Sequence, residues 1–163
     1  MDGKGVKLQE DEPLKIAIGI DPGLQTGVCI WNMQDQKIEK LCKTDFWGAI
    51  EILDRYQVKT MVNEIDLKVF IENPAANKPV FQKRIAGIQE QRKINKIADN
   101  IGQNKKEGLL LIAYCHKRGI AYDAVTPKQS KLKPEFFMKL HKLKKKPSQH
   151  EVDAAMLVQG RRA

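Results

Sequence analysis

The sequence predicts an α/β fold, a mixed five-stranded sheet with helices on its faces. Three observations predict it. Two apolar runs, Ile16–Ile20 and Val28–Trp31, flank an Asp-Pro-Gly turn and read as a hairpin. Two later apolar runs, Val69–Ile71 and Ile120–Val125, are separated from it and from each other by stretches with helical spacing, so helices connect these strands. The length of 163 residues supports one sizeable core and leaves no room for a second lobe.

Each element follows in order. Met1 to Pro13 is polar and mixed in charge, with no apolar stretch of a secretory signal. Residues 1–14 are therefore expected to form a flexible extension, and 15–163 a single domain. Ile16–Ile20 is apolar but for Gly19 and reads as a buried strand that delivers Asp21 at its C-terminal end. Lys37–Lys43 alternates polar and apolar, as a third antiparallel strand with one wet face does. Phe46–Tyr56 has near-helical apolar spacing, and Asp45 before it can serve as N-cap. Val58–Asp66 either continues that helix or forms a connection. Val69–Ile71 is a short β-branched and aromatic run that ends in Glu72, followed by Asn73-Pro74. It repeats the opening pattern of a buried strand, a carboxylate and a turn.

From Ala75 to Gly102 the pattern weakens. Gln82–Ile101 can be helical, with Ile85, Ile88, Ile94, Ile97 and Ile101 as a sparse apolar row. Gly108–Lys117 is apolar almost all round and reads as a buried helix, with Gly119 as its C′ residue. Ile120–Val125 alternates as a strand stopped by Thr126-Pro127. Lys128–Lys146 holds eight Lys against one Glu, with Phe136, Phe137 and Leu140 interleaved, and reads as a short amphipathic helix with a very basic face. Ser148 can cap a last helix from Gln149 to about Gln159, with Glu151 completing a capping box.

The net charge of +9 and pI near 9.5 favour a polyanionic partner, nucleic acid first and an anionic membrane surface second. No apolar run approaches the ~20 residues of a membrane span. Cys29, Cys42 and Cys115 are odd in number and scattered. They read as reduced residues of a cytoplasmic protein and argue against a zinc site.

Four side chains carry the candidate chemistry: Asp21, Glu72, His150 and Asp153. Asp21 and Glu72 each end an apolar strand, and if those strands are parallel neighbours their carboxylates converge. His150 and Asp153 are spaced i, i+3 and share one helix face. Packed over the strand ends, that face completes a cluster of three carboxylates and one imidazole. Like charges so close repel, and a divalent cation resolves the repulsion. Hard oxygen ligands suit Mg²⁺, with Mn²⁺ as a substitute. In a basic protein this points to two-metal phosphodiester hydrolysis. Taken singly, each residue has a plainer role: Asp21 as a turn former, Glu72 as a surface strand end, His150 and Asp153 as exposed residues early in a helix.

Several motifs resemble a known family. Gly19–Gly27 (GIDPGLQTG) resembles the first motif of the RuvC-type Holliday-junction resolvases, which have an RNase H-like fold. Phe70–Asn73 (FIEN) resembles their second acidic motif. Gly102–Tyr114 is similar to the helix before their fifth strand, and Val125–Lys131 to the segment leading to a lysine at the site. His150–Val158 (HEVDAAMLV) resembles their last motif. The match runs in order from about Lys15 to Val158. It implies metal-binding roles for Asp21, Glu72, His150 and Asp153, with Lys131 touching or orienting the scissile phosphate. It also implies a homodimer that cuts opposed strands of a four-way DNA junction, with the 102–117 helix as the dimer seam.

There are departures. The stretch between Glu72 and Gly102 is longer than in bacterial housekeeping relatives by roughly a dozen residues. Phe81 is the candidate for the aromatic residue that stacks at the junction in the family. The segment after Lys131 is shorter and richer in Lys. These changes suit a phage or mobile-element relative. Lys78, Lys83, Arg84, Arg92, Lys93 and Lys96 would reach one DNA arm, and Lys128, Lys131, Lys133 and the Lys142–Lys146 run another.

Three rivals use the same sequence features. A broader branched-DNA or flap endonuclease shares the site. An RNase H-like DNA-binding module without catalysis would have no use for clustered carboxylates facing DNA. The actin and sugar-kinase ATPase fold opens on a similar hairpin, but it needs a second hairpin and a second lobe that the chain lacks.

Overall fold

The computed structural model describes residues 12–73, 88–127 and 130–163. Its elements are β1 (Leu14–Asp21), β2 (Thr26–Asn32), β3 (Lys37–Thr44), α1 (Phe46–Met61), β4 (Ile65–Glu72), α2 (Ile88–Arg118), β5 (Tyr122–Val125), α3 (Pro134–Leu140) and α4 (Gln149–Val158). The five strands form one mixed sheet in the order β3-β2-β1-β4-β5. β1–β2 and β2–β3 are antiparallel; β1–β4 and β4–β5 are parallel. The expected α/β fold is therefore what the chain adopts. β1 begins at Leu14, one residue inside the stretch assigned to the extension. No helix among the described residues is long and apolar enough to cross a membrane.

Alternation along β1 divides the core in two. Ile16, Ile18 and Ile20 pack with Val28, Ile30, Val69 and Ile71 under α1 and the C-terminal part of α2, through Ala49, Ile52, Leu53, Leu111 and Cys115. Ala17 faces the other way, with Cys29, Trp31 and Phe70, against Phe137 of α3 and Val152, Ala154, Ala155 and Val158 of α4. Helices thus cover both faces.

Local signals set the element ends. Asp45 accepts from the Gly48 N–H at 2.8 Å and caps α1, which runs on to Met61 before a short turn. That resolves the ambiguous Val58–Asp66 stretch as the end of α1 and the start of β4. Gly119, at φ +68°, ends α2 in the left-handed conformation that glycine adopts freely. Around α4 both halves of the capping box form, the Ser148 hydroxyl with the Glu151 N–H and the Glu151 carboxylate with the Ser148 N–H.

Two expectations need correction. The Gly108–Lys117 stretch is not a helix of its own buried all round. It is the last part of a 31-residue helix, and Leu109 and Leu110 are 51% and 46% exposed while Leu111 and Cys115 are buried. One stripe suffices to cover the sheet, so the leucines off that stripe face outward. Among the described residues, the basic segment after Val125 is helical over the seven residues of α3 alone, because Pro134 starts that helix and it ends at Leu140.

Candidate active site

The register brings two carboxylates to one place. β1 and β4 pair in parallel through Ile20 and Ile71, so the next residues, Asp21 and Glu72, end neighbouring strands about 4.8 Å apart. Both share the parity of residues facing α4, Ala17 on β1 and Phe70 on β4.

α4 closes over this pair. Its first turn presents His150, whose Nδ1 lies 2.8 Å from Asp21 Oδ2. Asp153, one turn on, meets the Lys131 Nζ at 2.5 Å through Oδ2. The Gln149 side-chain amide donates to Asp153 Oδ1 at 2.8 Å and to the Leu132 carbonyl at 3.1 Å. It thereby ties the Lys131–Leu132 segment to the helix. A cavity of about 30 Å³, lined in part by Glu72, Lys131 and Asp153, has the volume of one water molecule.

The helix can come this close because two glycines let it. A Cβ on Gly27 would lie 2.0 Å from the His150 carbonyl oxygen, and one on Gly19 would lie 2.2 Å from that of Ala154. Backbone meets backbone there, and no side chain fits between. Both glycines belong to the Gly19–Gly27 motif, so the hairpin that carries Asp21 also makes the seat for the helix that carries His150 and Asp153. In the turn itself, Thr26 donates from its hydroxyl to the Gly23 carbonyl at 3.2 Å.

The electrostatics reflect crowded carboxylates. Burial pushes the Glu72 carboxyl up to about 8, and the hydrogen bond and charge of Asp21 add to it. The hydrogen bond to Asp21 raises the His150 imidazole above its ordinary value, against partial burial. Burial alone would lower Lys131, yet the carboxylates of Asp153, Asp21 and Glu72 outweigh it and raise its pKa. The cluster thus favours the charged forms of His150, on Asp21, and Lys131, on Asp153, and the protonated form of Glu72.

Such a donor set, three carboxyls and one imidazole, chemically suits a hard divalent cation. It does not stand as a ready coordination shell. Among the described residues no group of three or more His, Cys, Asp or Glu side chains is arranged to hold a metal ion. Two of the carboxyls are turned instead to Lys131 and His150.

All five candidate catalytic residues, Asp21, Glu72, Lys131, His150 and Asp153, meet at one end of the sheet. The candidate DNA contacts are more scattered. Lys133 is exposed at the start of α3. Arg92, Lys93 and Lys96 belong to the first part of α2, where only the backbone is described. Lys78, Phe81, Lys83, Arg84 and Lys128 lie outside the described residues. Sequence reasoning missed Gln149, although a polar residue directly before the His150–Asp153 pair was a signal. It also missed the packing role of Gly19 and Gly27. The signal there was the small residues Ala17, Gly19, Gly27 and Cys29, spaced by two on the strands. No family model matches the chain, and no curated protein matches it either.

Proposed function

We propose that the protein is a Mg²⁺-dependent, structure-selective DNA endonuclease that resolves four-way junctions as a homodimer. One observation carries the proposal: Asp21 and Glu72 end adjacent parallel strands directly under the α4 face that bears His150 and Asp153, with Lys131 at the rim. Burial, with the Asp21 carboxyl beside it, holds the Glu72 carboxyl up at about 8, and a cation bound between the two would relieve both the desolvation and the repulsion. The net charge of +9 supplies attraction for a polyanion.

Asp21, Glu72 and Asp153 would hold the cations, with His150 beside them. Bound Mg²⁺ pairs supply water activation and neutralisation of charge at the leaving oxygen. The chain's own residues do the rest. Asp21 fixes the His150 ring through Nδ1, which leaves the second ring nitrogen to give a proton to the leaving 3′-oxygen. Lys131, its side chain 57% exposed, can turn from Asp153 to the scissile phosphate. Gln149 keeps Asp153 and the Lys131 segment in place when Lys131 lets go.

The exposed Leu109 and Leu110 on α2 support the dimer. Beside Leu110, Trp47 of α1 is 71% exposed, and a groove of about 890 Å³ lies between the two helices. Apolar side chains so exposed suit a contact between copies. A broader branched-DNA endonuclease would use the same site. The reading is tested with Mg²⁺ on a four-way junction, a flap and a linear duplex of matched sequence. Paired symmetric nicks confined to the four-way junction are expected. Cutting of all branched forms would move the function to general debranching, and junction binding without cutting would favour a binding module.

A further inference from the structure

A second basic feature lies away from the site. β3 is an edge strand, and the Leu143–Ser148 segment that enters α4 faces it across a groove of about 770 Å³. Leu41 and Leu143 are half-buried in its lining, while Lys43, Lys144 and Lys145 are exposed there. Cys42 and Lys40 pair with Val28 and Ile30 and so belong to the α1 side of the strand. None of the three groove lysines makes an ion pair among the described residues. Two acids also line the groove: Glu39 accepts from the Asn32 side-chain amide at 2.9 Å, and Glu151 from the Ser148 N–H at 2.7 Å. The lysines outnumber them, so the groove is net positive.

Lysines on an edge strand also guard against edge-to-edge pairing. That role explains Lys40 and Lys43 but not Lys144 and Lys145, which stand on the opposite wall. The position of the groove adds a second reason. Asp21 pairs with Gly27, and Gly27 pairs with Lys43, so Lys43 is two strand spacings from the candidate catalytic carboxylate. That is about 10 Å, or about three rises of a nucleic-acid strand. The start of α4 bridges the two places, with Ser148 on the groove and His150 at the site. Its N-terminal dipole favours an anion along the way.

We propose that this groove is a phosphodiester-backbone track. It takes one DNA strand as it leaves the cut site over the start of α4 and holds it between Lys43 on β3 and Lys144 and Lys145 opposite. The inference rests on the endonuclease reading and adds to it a path for the product arm.

Amine labelling provides a direct readout. Lys43, Lys144 and Lys145 are exposed in the groove, so an acylating reagent reaches them. The experiment uses the full chain, a four-way DNA junction and EDTA, so that nothing is cut, and labelling is read residue by residue by mass spectrometry. Junction at saturating concentration is expected to slow acylation of these three lysines about fivefold or more, while the exposed Lys59 of α1 keeps its rate. Changing Lys43, Lys144 and Lys145 together to Gln should weaken binding about tenfold or more. It should also flatten the plot of log K against log salt by about 0.9 for each phosphate that is no longer neutralised. If the parent binds the junction but the three lysines stay reactive and the slope is unchanged, the track is wrong and the endonuclease reading stands. If the parent does not bind the junction at all, both fall. If polyglutamate protects the three lysines and the junction does not, the edge takes an acidic peptide and the track is overturned. Should the triple variant fail to fold, the footprint on the parent decides alone.

Discussion

On the α1 side of the sheet, β1 and β2 present Ile16, Ile18, Ile20, Val28 and Ile30; on the α4 side the same strands present Ala17, Gly19, Asp21, Gly27, Cys29 and Trp31. The first set fills the space beneath α1 and α2 with large aliphatic side chains. The second, Trp31 apart, is small, and at Gly19 and Gly27 α4 touches the strands backbone to backbone. The difference teaches where stability and chemistry are kept. Large side chains bury the area that holds the domain together. Small ones draw a helix in until short polar groups such as Asp21 and His150 meet at hydrogen-bond distance.

The largest effect is expected at the carboxylates themselves. Asp21→Asn and Glu72→Gln should each abolish junction cutting and leave junction binding intact, as read in parallel cleavage and mobility-shift assays. Cutting that persists in either would remove that residue from the proposed site.

Next comes a paired test of the two faces. Gly27→Ala forces a Cβ into the His150 carbonyl. It should cost ~1–3 kcal/mol or more of overpacking and lose cutting out of proportion to stability. Leu53→Ala, in the core under α1, should cost ~2–5 kcal/mol and keep cutting per folded molecule near that of the parent. Thermal melts and cleavage below both melting points separate these outcomes. Equal loss of specific activity in the two variants would break the division between faces.

A smaller effect concerns pH and metal. Glu72 keeps its proton up to about 8 when folded and releases it near the ordinary glutamate value when unfolded. The folded state therefore binds more protons in that window, and stability falls as pH rises through it. His150, raised by Asp21, carries the same sign: its contribution is present at low pH and is lost as pH rises through its folded value. Mg²⁺ should oppose this fall, because it takes the place of the protons. A melting temperature gain with Mg²⁺ that is larger at pH 8 than at pH 5, by a few degrees, is expected. An equal gain at both would contradict cation binding at these carboxyls.

The smallest effect is expected at Gln149. Gln149→Leu removes the hydrogen bonds to Asp153 and Leu132 and should change stability by only about 1 kcal/mol. A positioning role predicts that more Mg²⁺ is needed for half-maximal cutting. An unchanged Mg²⁺ midpoint would leave Gln149 a purely structural tie.

The elements were largely legible in the sequence because their signals are local. The hairpin could be read from apolar runs around Asp-Pro-Gly, α1 from its spacing and the Asp45 cap, and α4 from the Ser148–Glu151 capping box. Asp21 and Glu72 stood out because a carboxylate ending an apolar strand is conspicuous. The weakest elements were those without a local signal. α2 reads as two pieces because its first part has only a sparse isoleucine row, yet it is one helix from Ile88 to Arg118.

By itself the sequence determined the kinds of elements, their order, the caps that end them and the chemical types gathered near the strand ends. Only the tertiary structure decided which of these meet. The parallel register of β1 and β4 sets Asp21 beside Glu72, and the approach of α4 pairs His150 with Asp21. The fold around Leu132 lets Lys131 reach Asp153. Which leucines of α2 stay outside, and that β3 and the Leu143–Ser148 segment form one groove, follow from the same packing. The physical reason is range. Propensity, capping and periodicity act over a few residues. Register and close approach depend on side-chain volumes contributed by segments more than a hundred residues apart, as Gly27 and His150 are.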